Sequence, residues 1–399
     1  MSHFVPAGPA EVAECVTEAA AKRTPLSITG LGSKAELGRP MKNAGCLDLS
    51  RLNGVTFYES GELVFSALAG TPIEIIEMML AEAGQELAFE PMTFAALYGT
   101  GSGTLGGAIM ANLSGPRRIK AGAARDFVLG IKAVSGRGEV FKAGGRVVKN
   151  VTGYDLSRGL AGSFGTLAVA TEVTLKVLPR GETSATLILT GLDPAPAINA
   201  LCAAMGAPAD VSGAAHLPAF AAKTQGYATS ITALRLEGFA PSVAGRLDRL
   251  EAMLKDLAPT ARLDAPASEK LWRAVRDVEP VAYPREKIIW KISVAPTAGP
   301  KVAETVARAH SAEALFDWSG GLVWLALDPC PGAAASLIRR AVAENGGGHA
   351  TLIRAPREAR AAIPVFEPQP QGLAALSRRL KAAFDPYAIL EPRRMWAEF

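Results

Sequence analysis

Two glycine-rich stretches constrain this chain more than any other feature: Gly99-Thr-Gly101-Ser-Gly103-Thr-Leu-Gly106-Gly107, and Gly162-Ser-Phe-Gly165-Thr-Leu with Ala168-Val169-Ala170 after it. Glycine tolerates positive φ and lets another backbone approach closely, so such turns present main-chain N–H groups to an anion. Separated by a β-rich segment, the pair predicts a site for an extended phosphorylated ligand. The first expectation is a large nucleotide cofactor.

The 399 residues exceed one ordinary core and fit two or three domains. With 42 basic against 38 acidic residues, the charge is mixed and only mildly positive. No basic run or basic–aromatic stripe marks a nucleic-acid surface. The four cysteines, Cys15, Cys46, Cys202 and Cys330, lack ligand spacing, so no iron–sulfur or zinc site is expected and no metal ligand is named. They read as thiols of a reducing compartment. The first residues lack a basic and apolar leader, and no apolar stretch approaches about eighteen residues. A cytoplasmic protein that reaches the inner membrane only through partners is expected.

Pro9 followed by Val12, Cys15, Val16, Ala19 and Ala20 predicts an opening helix. A strand over Leu26–Thr29 then runs into Gly30-Leu31-Gly32-Ser33-Lys34. Strands are predicted at 46–49 and 63–67, and Thr71-Pro72-Ile73-Glu74 reads as a capping box opening a helix to about Ala83. The long segment 88–107 reads as a functional loop turning helical near 106–110. A hairpin joins 127–134 to 139–142, and Val173, Leu175 and Val177 alternate in a strand before Pro179-Arg180-Gly181. Beyond it, strands at 185–189, 231–236, 287–294, 322–327 and 350–354 and helices over 243–257 and 333–343 predict an antiparallel sheet covered by helices. A last helix is expected over Leu373–Phe384. No usable internal repeat is visible.

Gly101-x-Gly103-x-x-Gly106 matches the Rossmann fingerprint, but a proline-containing loop precedes it where a strand is required. Asp126, about twenty residues on, precedes a strand instead of ending one. Glycines serving only tight turns is the plainer alternative. It weakens because Gly30–Lys34, Gly106–Gly115, Asn150–Asp155 and Gly162–Leu167 fall in an order found in one flavoprotein fold.

On these segments the chain resembles the vanillyl-alcohol-oxidase (PCMH-type) FAD-binding family, and within it the E subunits of bacterial glycolate oxidases. The resemblance extends over nearly the whole chain, through Leu113-Ser-Gly-Pro-Arg-Arg118, Ala123–Leu129, Gly145–Asn150, Gly153-Tyr-Asp-Leu-Ser157, Gly347-Gly-His-Ala-Thr351 and Phe384-Asp-Pro386. It implies an α+β protein: a two-subdomain FAD-binding domain at 1–181, an α+β cap with an antiparallel sheet at 182–372, and a helix and tail at 373–399 that return toward the flavin.

The resemblance also implies which residues hold FAD. The first arm of the pyrophosphate cradle is Gly30, Gly32, Ser33 and Lys34, and the second is Gly103, Thr104, Gly106 and Gly107. Asn112, Ser114 and Gly115 would continue into a flavin-facing turn, with Gly165, Thr166 and Val169 near the nucleotide end. Lys34 reads equally well as a solvated side chain. Ser33 stands where relatives can carry an attaching histidine, so noncovalent FAD is expected. Three positions depart from the family: Leu31 for a glycine, Phe164 for a glutamate, and Glu391-Pro392-Arg393 for an Asn-Pro-Gly-like turn.

Oxidation of a small 2-hydroxy acid needs a base, a cation for the carboxylate and access to the flavin. His349 is the base candidate and Arg354 the clamp candidate, although five residues along a strand place them on opposite faces. Tyr154 is a flavin-edge donor candidate, or merely packs. His349 otherwise reads as a structural histidine. The resemblance implies a glycolate oxidase complex with two partners, a homologous flavoprotein (the D subunit) and an iron–sulfur protein (the F subunit), oxidising glycolate to glyoxylate and passing electrons to quinone. The alternatives are a self-sufficient FAD-dependent 2-hydroxy-acid dehydrogenase and a scaffold that has lost FAD.

Overall fold

A computed structural model describes residues 2–41, 44–147 and 153–398. The opening helix Pro9–Lys22 has Pro at its first turn and buries Val12, Val16, Ala19 and Ala20. It leads from β1 (His3–Phe4) to β2 (Leu26–Thr29), and β3 (Gly45–Asp48) inserts between them in a parallel three-stranded sheet. The chain then forms β4 (Val55–Glu59), β5 (Val64–Leu68), β6 (Gln85–Glu86), β7 (Val128–Ser135), β8 (Val140–Gly144), β9 (Ala168–Lys176) and β10 (Leu178–Pro179). Of these, β6 pairs with β10, and the others form an antiparallel sheet in the order β4-β5-β9-β7-β8. Its central strand β9 is buried along almost its whole length, and Phe65, Phe89, Phe127 and Ile131 fill the core against it.

The predicted capping box is not one. Pro72 occupies the N-cap of the helix Ile73–Glu82, and the Thr71 hydroxyl instead donates to the Leu68 carbonyl and accepts from the Gly54 amide. A buried Thr71 is worth more closing that turn than capping a helix start that the proline already sets.

The second half contains a repeat that the sequence does not display. β11 (Thr183–Thr190), β12 (Gly213–Leu217), β13 (Ile231–Gly238) and β14 (Thr260–Leu263) stand in the order β14-β11-β13-β12. β15 (Ile288–Val294), β16 (Ala312–Asp317), β17 (Leu322–Leu327) and β18 (Gly348–Arg354) stand in the mirrored order β16-β17-β15-β18. Helices Pro194–Gly206 and Ala240–Leu254 occupy the two crossovers of the first set, and Gly299–Ala307 and Ala335–Glu344 those of the second. Each half is thus a βαββαβ unit, and they join edge to edge through β12 and β16. The result is one antiparallel eight-stranded sheet.

Ile198, Leu201, Leu247, Leu250, Val302 and Ile338 of these helices pack on one face of it, with Trp290 and Leu325. The other face lies against the N-terminal domain, where Trp324, Ile289 and Ile353 meet Phe94, Leu97, Met92 and Leu113. Charge reinforces that junction. Arg235 on β13 makes two bonds to Glu90, of 2.8 and 3.2 Å, and Glu90 also accepts from the Arg117 amide at 2.6 Å. The Arg117 guanidinium bonds Glu86 and Glu237. Burial alone would raise the Glu90 carboxyl, but Arg235 and Arg117 hold it below its ordinary value.

Replacing one member of a buried ion-pair network strands the other. The substitution Arg235→Ala is therefore expected to lower unfolding free energy by about 3 kcal/mol in urea denaturation. A loss under about 1 kcal/mol would place the domain junction's strength elsewhere.

Candidate functional site: a two-armed cleft in the N-terminal domain

Strand β2 ends at Thr29, and the chain turns through Gly30-Leu31-Gly32-Ser33-Lys34 along one wall of a cavity of about 890 Å³. Thr104, Gly106 and Gly107, at the start of the helix Leu105–Ala111, form the facing wall. The Thr104 hydroxyl caps that helix by accepting from the Gly107 amide at 3.3 Å. The helix stops at Asn112, which takes the left-handed conformation at φ 48°.

The two arms touch, and glycine is what lets them. A Cβ on Gly30 would lie 2.7 Å from Thr104 Cγ2, and one on Gly106 would lie 2.8 Å from Ala69 Cβ. Gly103, at φ 83°, has no room for a Cβ against Ser33 Oγ. Gly32, at φ 72°, faces open space instead. Gly165 and Val169 line the same cavity beyond the second glycine turn.

Nine of the fourteen expected cofactor residues line this space: Gly30, Gly32, Ser33, Lys34, Thr104, Gly106, Gly107, Gly165 and Val169. Gly103 stands directly behind them. Asn112, Ser114, Gly115 and Thr166 do not line it. Asn112 Oδ1 accepts from the Arg125 amide, Ser114 Oγ from the Ala124 amide, and Thr166 Oγ1 donates to the Ser163 carbonyl. Gly115 donates to the carbonyls of Phe89 and Glu90 and accepts from Trp318 Nε1. These four shape the turns that hold the cavity wall.

Lys34 is partly buried rather than a free surface side chain. Its ammonium lies 4.6 Å from the Phe94 ring centroid and 3.1 Å from Ser33 Oγ. Burial, with Arg394 nearby, lowers its pKa to about 8. Arg394 itself donates to the Lys34 and Leu37 carbonyls, at 2.9 and 3.2 Å, and to Glu391 Oε1 at 2.8 Å. That Glu391 oxygen also accepts from the Ile28 amide at 2.7 Å, while Oε2 is buried without a partner among the described residues. Leu31 projects at the cavity mouth, 54 % exposed, and Phe164 takes φ 54° in the turn before Gly165.

The expected clamp Arg354 is spoken for. Its guanidinium donates to the carbonyls of Lys287, Leu97, Ala282 and Pro284, at 2.9, 2.9, 2.6 and 3.2 Å. Four of its five N–H donors go to carbonyls, so it ties the sheet to the N-terminal domain and cannot offer a carboxylate a two-pronged clamp. His349 is exposed near the outer end of β18, opposite Ser293, and does not line the cleft. Tyr154 is 91 % exposed. Residues 148–152, the Val-Lys-Asn-Val-Thr segment before it, lie outside the described residues.

Two cations that sequence reasoning passed over lie where the sheet faces the N-terminal domain. Lys291, on β15 opposite Trp324, has its ammonium 5.2 Å from the Trp318 ring centroid. Arg118, from the N-terminal domain, stacks on the same indole at 4.2 Å. Among the described residues neither has a carboxylate within 4.0 Å. Burial and then Arg118 lower Lys291 to about 8. Trp318 is held by its bond to the Gly115 carbonyl and by three consecutive positive φ angles, Trp318 49°, Ser319 59° and Gly320 95°. Nothing in the spacing of the sequence pairs residues 118 and 291.

Residues 3–144 match the model of an FAD binding domain family. Over 385 residues, 96 % of this chain and 96 % of the relative, the sequence is 34 % identical to glycolate oxidase subunit GlcE of Escherichia coli K12. The chain belongs to the GlcE-type family of FAD-binding subunits. Glycolate oxidase subunit GlcD of Bacillus subtilis is 30 % identical over 45 % of this chain and 37 % of its own length. The solved structure of p-cresol methylhydroxylase superposes with a TM-score of 0.75 at 12 % identity, covering all of this chain and 89 % of that one, and shows the same fold. The GlcE-type chain is thus an α+β flavoprotein with a PCMH-type fold, and its cofactor is FAD.

The cleft suits that cofactor: two arms that meet where Gly30 and Gly103 leave no room for a Cβ, a partly buried lysine beside them, and a Glu391 oxygen without a donor among the described residues. FAD bound here would lay its pyrophosphate beside Lys34 and favour the charged ammonium. FAD binding is therefore expected to take up about one proton per chain above pH 8, and affinity to fall as pH rises past that value. Calorimetry in buffers of different ionisation enthalpy reads this directly. Lys34→Met should abolish the uptake, and no uptake by the wild-type chain would remove Lys34 from the phosphate site.

Proposed function

We propose that this chain is the FAD-binding subunit of a glycolate oxidase complex, in which glycolate is oxidised to glyoxylate and electrons pass to an iron–sulfur partner and on to quinone. FAD is held noncovalently by Gly30, Gly32, Ser33 and Lys34 on one side and Gly103, Thr104, Gly106 and Gly107 on the other, with Gly165 and Val169 beyond. Converging N–H dipoles and one buried cation can offset two phosphate charges without a metal. When bound, FAD supplies the two-electron acceptor.

The observation that carries the substrate class is the Arg118–Lys291 pair. Two half-buried cations gathered at one indole, with Asp126 near Arg118 offsetting part of the charge, repel one another, and an anion seated between them relieves that cost. A 2-hydroxy acid offers a carboxylate of the right charge and size. Arg118 and Lys291 then replace Arg354 in the clamp role, each contributed by a different domain, so the seat exists only when the two are packed together. Trp318 beneath them excludes water and strengthens their pull. The four cysteines are free and no metal-holding group of His, Cys, Asp or Glu occurs among the described residues, which is consistent with a relay carried by another chain in this reading. Among the described residues no helix is long and apolar enough to cross a membrane, so contact with the quinone pool runs through that partner in this reading.

The test is steady-state oxidation of glycolate by the assembled complex, with Lys291→Met beside the wild type. Losing one cation of a carboxylate seat is expected to raise KM about tenfold or more while FAD content per chain stays unchanged. An unchanged KM would remove the seat from this chain and leave substrate oxidation to a partner. Acid precipitation provides the cofactor control: flavin should stay in the supernatant, and yellow protein would contradict noncovalent binding.

A further inference from the structure

The C-terminal helix Gln371–Phe384 is unlike every other long helix of the fold. Lys381 is its only buried residue. Its ammonium donates to the Thr166 and Leu390 carbonyls at 2.6 and 2.8 Å and to Asp385 at 2.7 Å. Phe384, at the end, leans on Phe141 with ring centroids 5.8 Å apart, and its carbonyl accepts from the Gly136 amide. The first two turns have no such anchor. Helices of this length are marginal in water unless an apolar face is covered.

That face exists and is bare. Leu373, Leu376 and Leu380 recur at helical spacing and are 49, 53 and 42 % exposed. The same helix carries Arg378, Arg379 and Lys381, and no acid stands between Glu367 and Asp385. Arg379 sits about 60° around the helix axis from Leu376, along the outer border of the stripe.

These features select among occupants. A second copy laid helix to helix would bring arginines together and offer no acid in return. A membrane surface rewards a broad apolar face with aromatic residues, whereas three leucines within about 60° and no exposed tryptophan or phenylalanine make a narrow seam. A seam of this kind fits an apolar groove, read through anchors at i, i+3 and i+7. We propose that Leu373, Leu376 and Leu380 dock into a groove with an acidic rim on a different polypeptide of the same enzyme complex. The buried end of the helix grips Thr166, one residue from Gly165 on the cavity wall. A partner seated on the stripe therefore lies against the support of the cofactor cleft.

The test uses the intact complex, purified through a tag on this chain. A photo-reactive residue at 376 should crosslink to a second, different chain, within a segment rich in Asp and Glu. The double substitution Leu376→Glu with Leu380→Glu should weaken association about tenfold or more and release a folded, FAD-loaded chain, since both side chains are exposed and outside the core. Met78→Glu, on an exposed site elsewhere, should leave the complex intact. Arg379→Glu should weaken association as well, and wild-type association should weaken with added salt. A crosslink to another copy of this chain, co-sedimentation of the isolated chain with phosphatidylethanolamine/phosphatidylglycerol vesicles through the same leucines, or an intact complex in the double variant would each overturn the proposal.

Discussion

The cleft proposed for the cofactor depends on how the last residues of the chain hold the glycine loop 30–34. That loop contains Gly30, Leu31 and Gly32 and packs little of its own surface, so its shape must come from outside. The tail after Asp385 supplies it. Leu390 bridges to Leu26, the Glu391 amide donates to the Leu26 carbonyl, and the Glu391 side chain accepts from Ile28. Arg394 then reaches the carbonyls of Lys34 and Leu37, and Arg39 donates back to Arg394 from its amide. Arg360 adds bonds to the Glu36 and Gly38 carbonyls. Loop carbonyls held by guanidinium groups leave the loop amides free to turn toward an anion.

This arrangement gives the departures from the family pattern a physical meaning. Glu391 and Arg393 replace a small, uncharged turn, yet Glu391 is fully buried and paired with Arg394 rather than intruding as a free charge. Both Glu391 and Arg393 take positive φ, at 45° and 63°. The strain is borne where the tail crosses β2, a position over-determined by its hydrogen bonds. Phe164 substitutes an aromatic contact for a charged one, its ring meeting Phe366 at 4.9 Å and so connecting the cavity wall to the cap.

What could be read in the sequence was whatever is local. The opening helix, strand Leu26–Thr29, strand Leu322–Leu327 and the glycine arms are set by periodicity and by positive φ, and both are visible in residue order. The strands Gly213–Leu217, Thr260–Leu263 and Ala312–Asp317 escaped because short, alanine-rich or fully buried segments show no alternation. The doubled βαββαβ unit escaped because a repeat of topology needs no repeat of side chains. Arg394 and Lys34 lie 360 residues apart, and Arg118 and Lys291 meet only after two domains pack. Arg354 misled for the converse reason: an arginine close in sequence to a candidate base looks available until its four carbonyl partners are in place.

If the tail prepares the loop for the cofactor, its contribution appears as binding affinity. The direct measurement is the FAD dissociation constant of Arg394→Met beside that of the wild-type chain, by calorimetric titration of flavin-free protein. The substitution keeps the glycines and Lys34 in the sequence while removing the bonds to residues 34 and 37, the pairing with Glu391 and one positive charge near Lys34. A loss of about tenfold or more in affinity, worth about 1.4 kcal/mol, is the expected result. Equal affinity in the two chains would show that the loop holds its shape without the tail, and would contradict the tail's role.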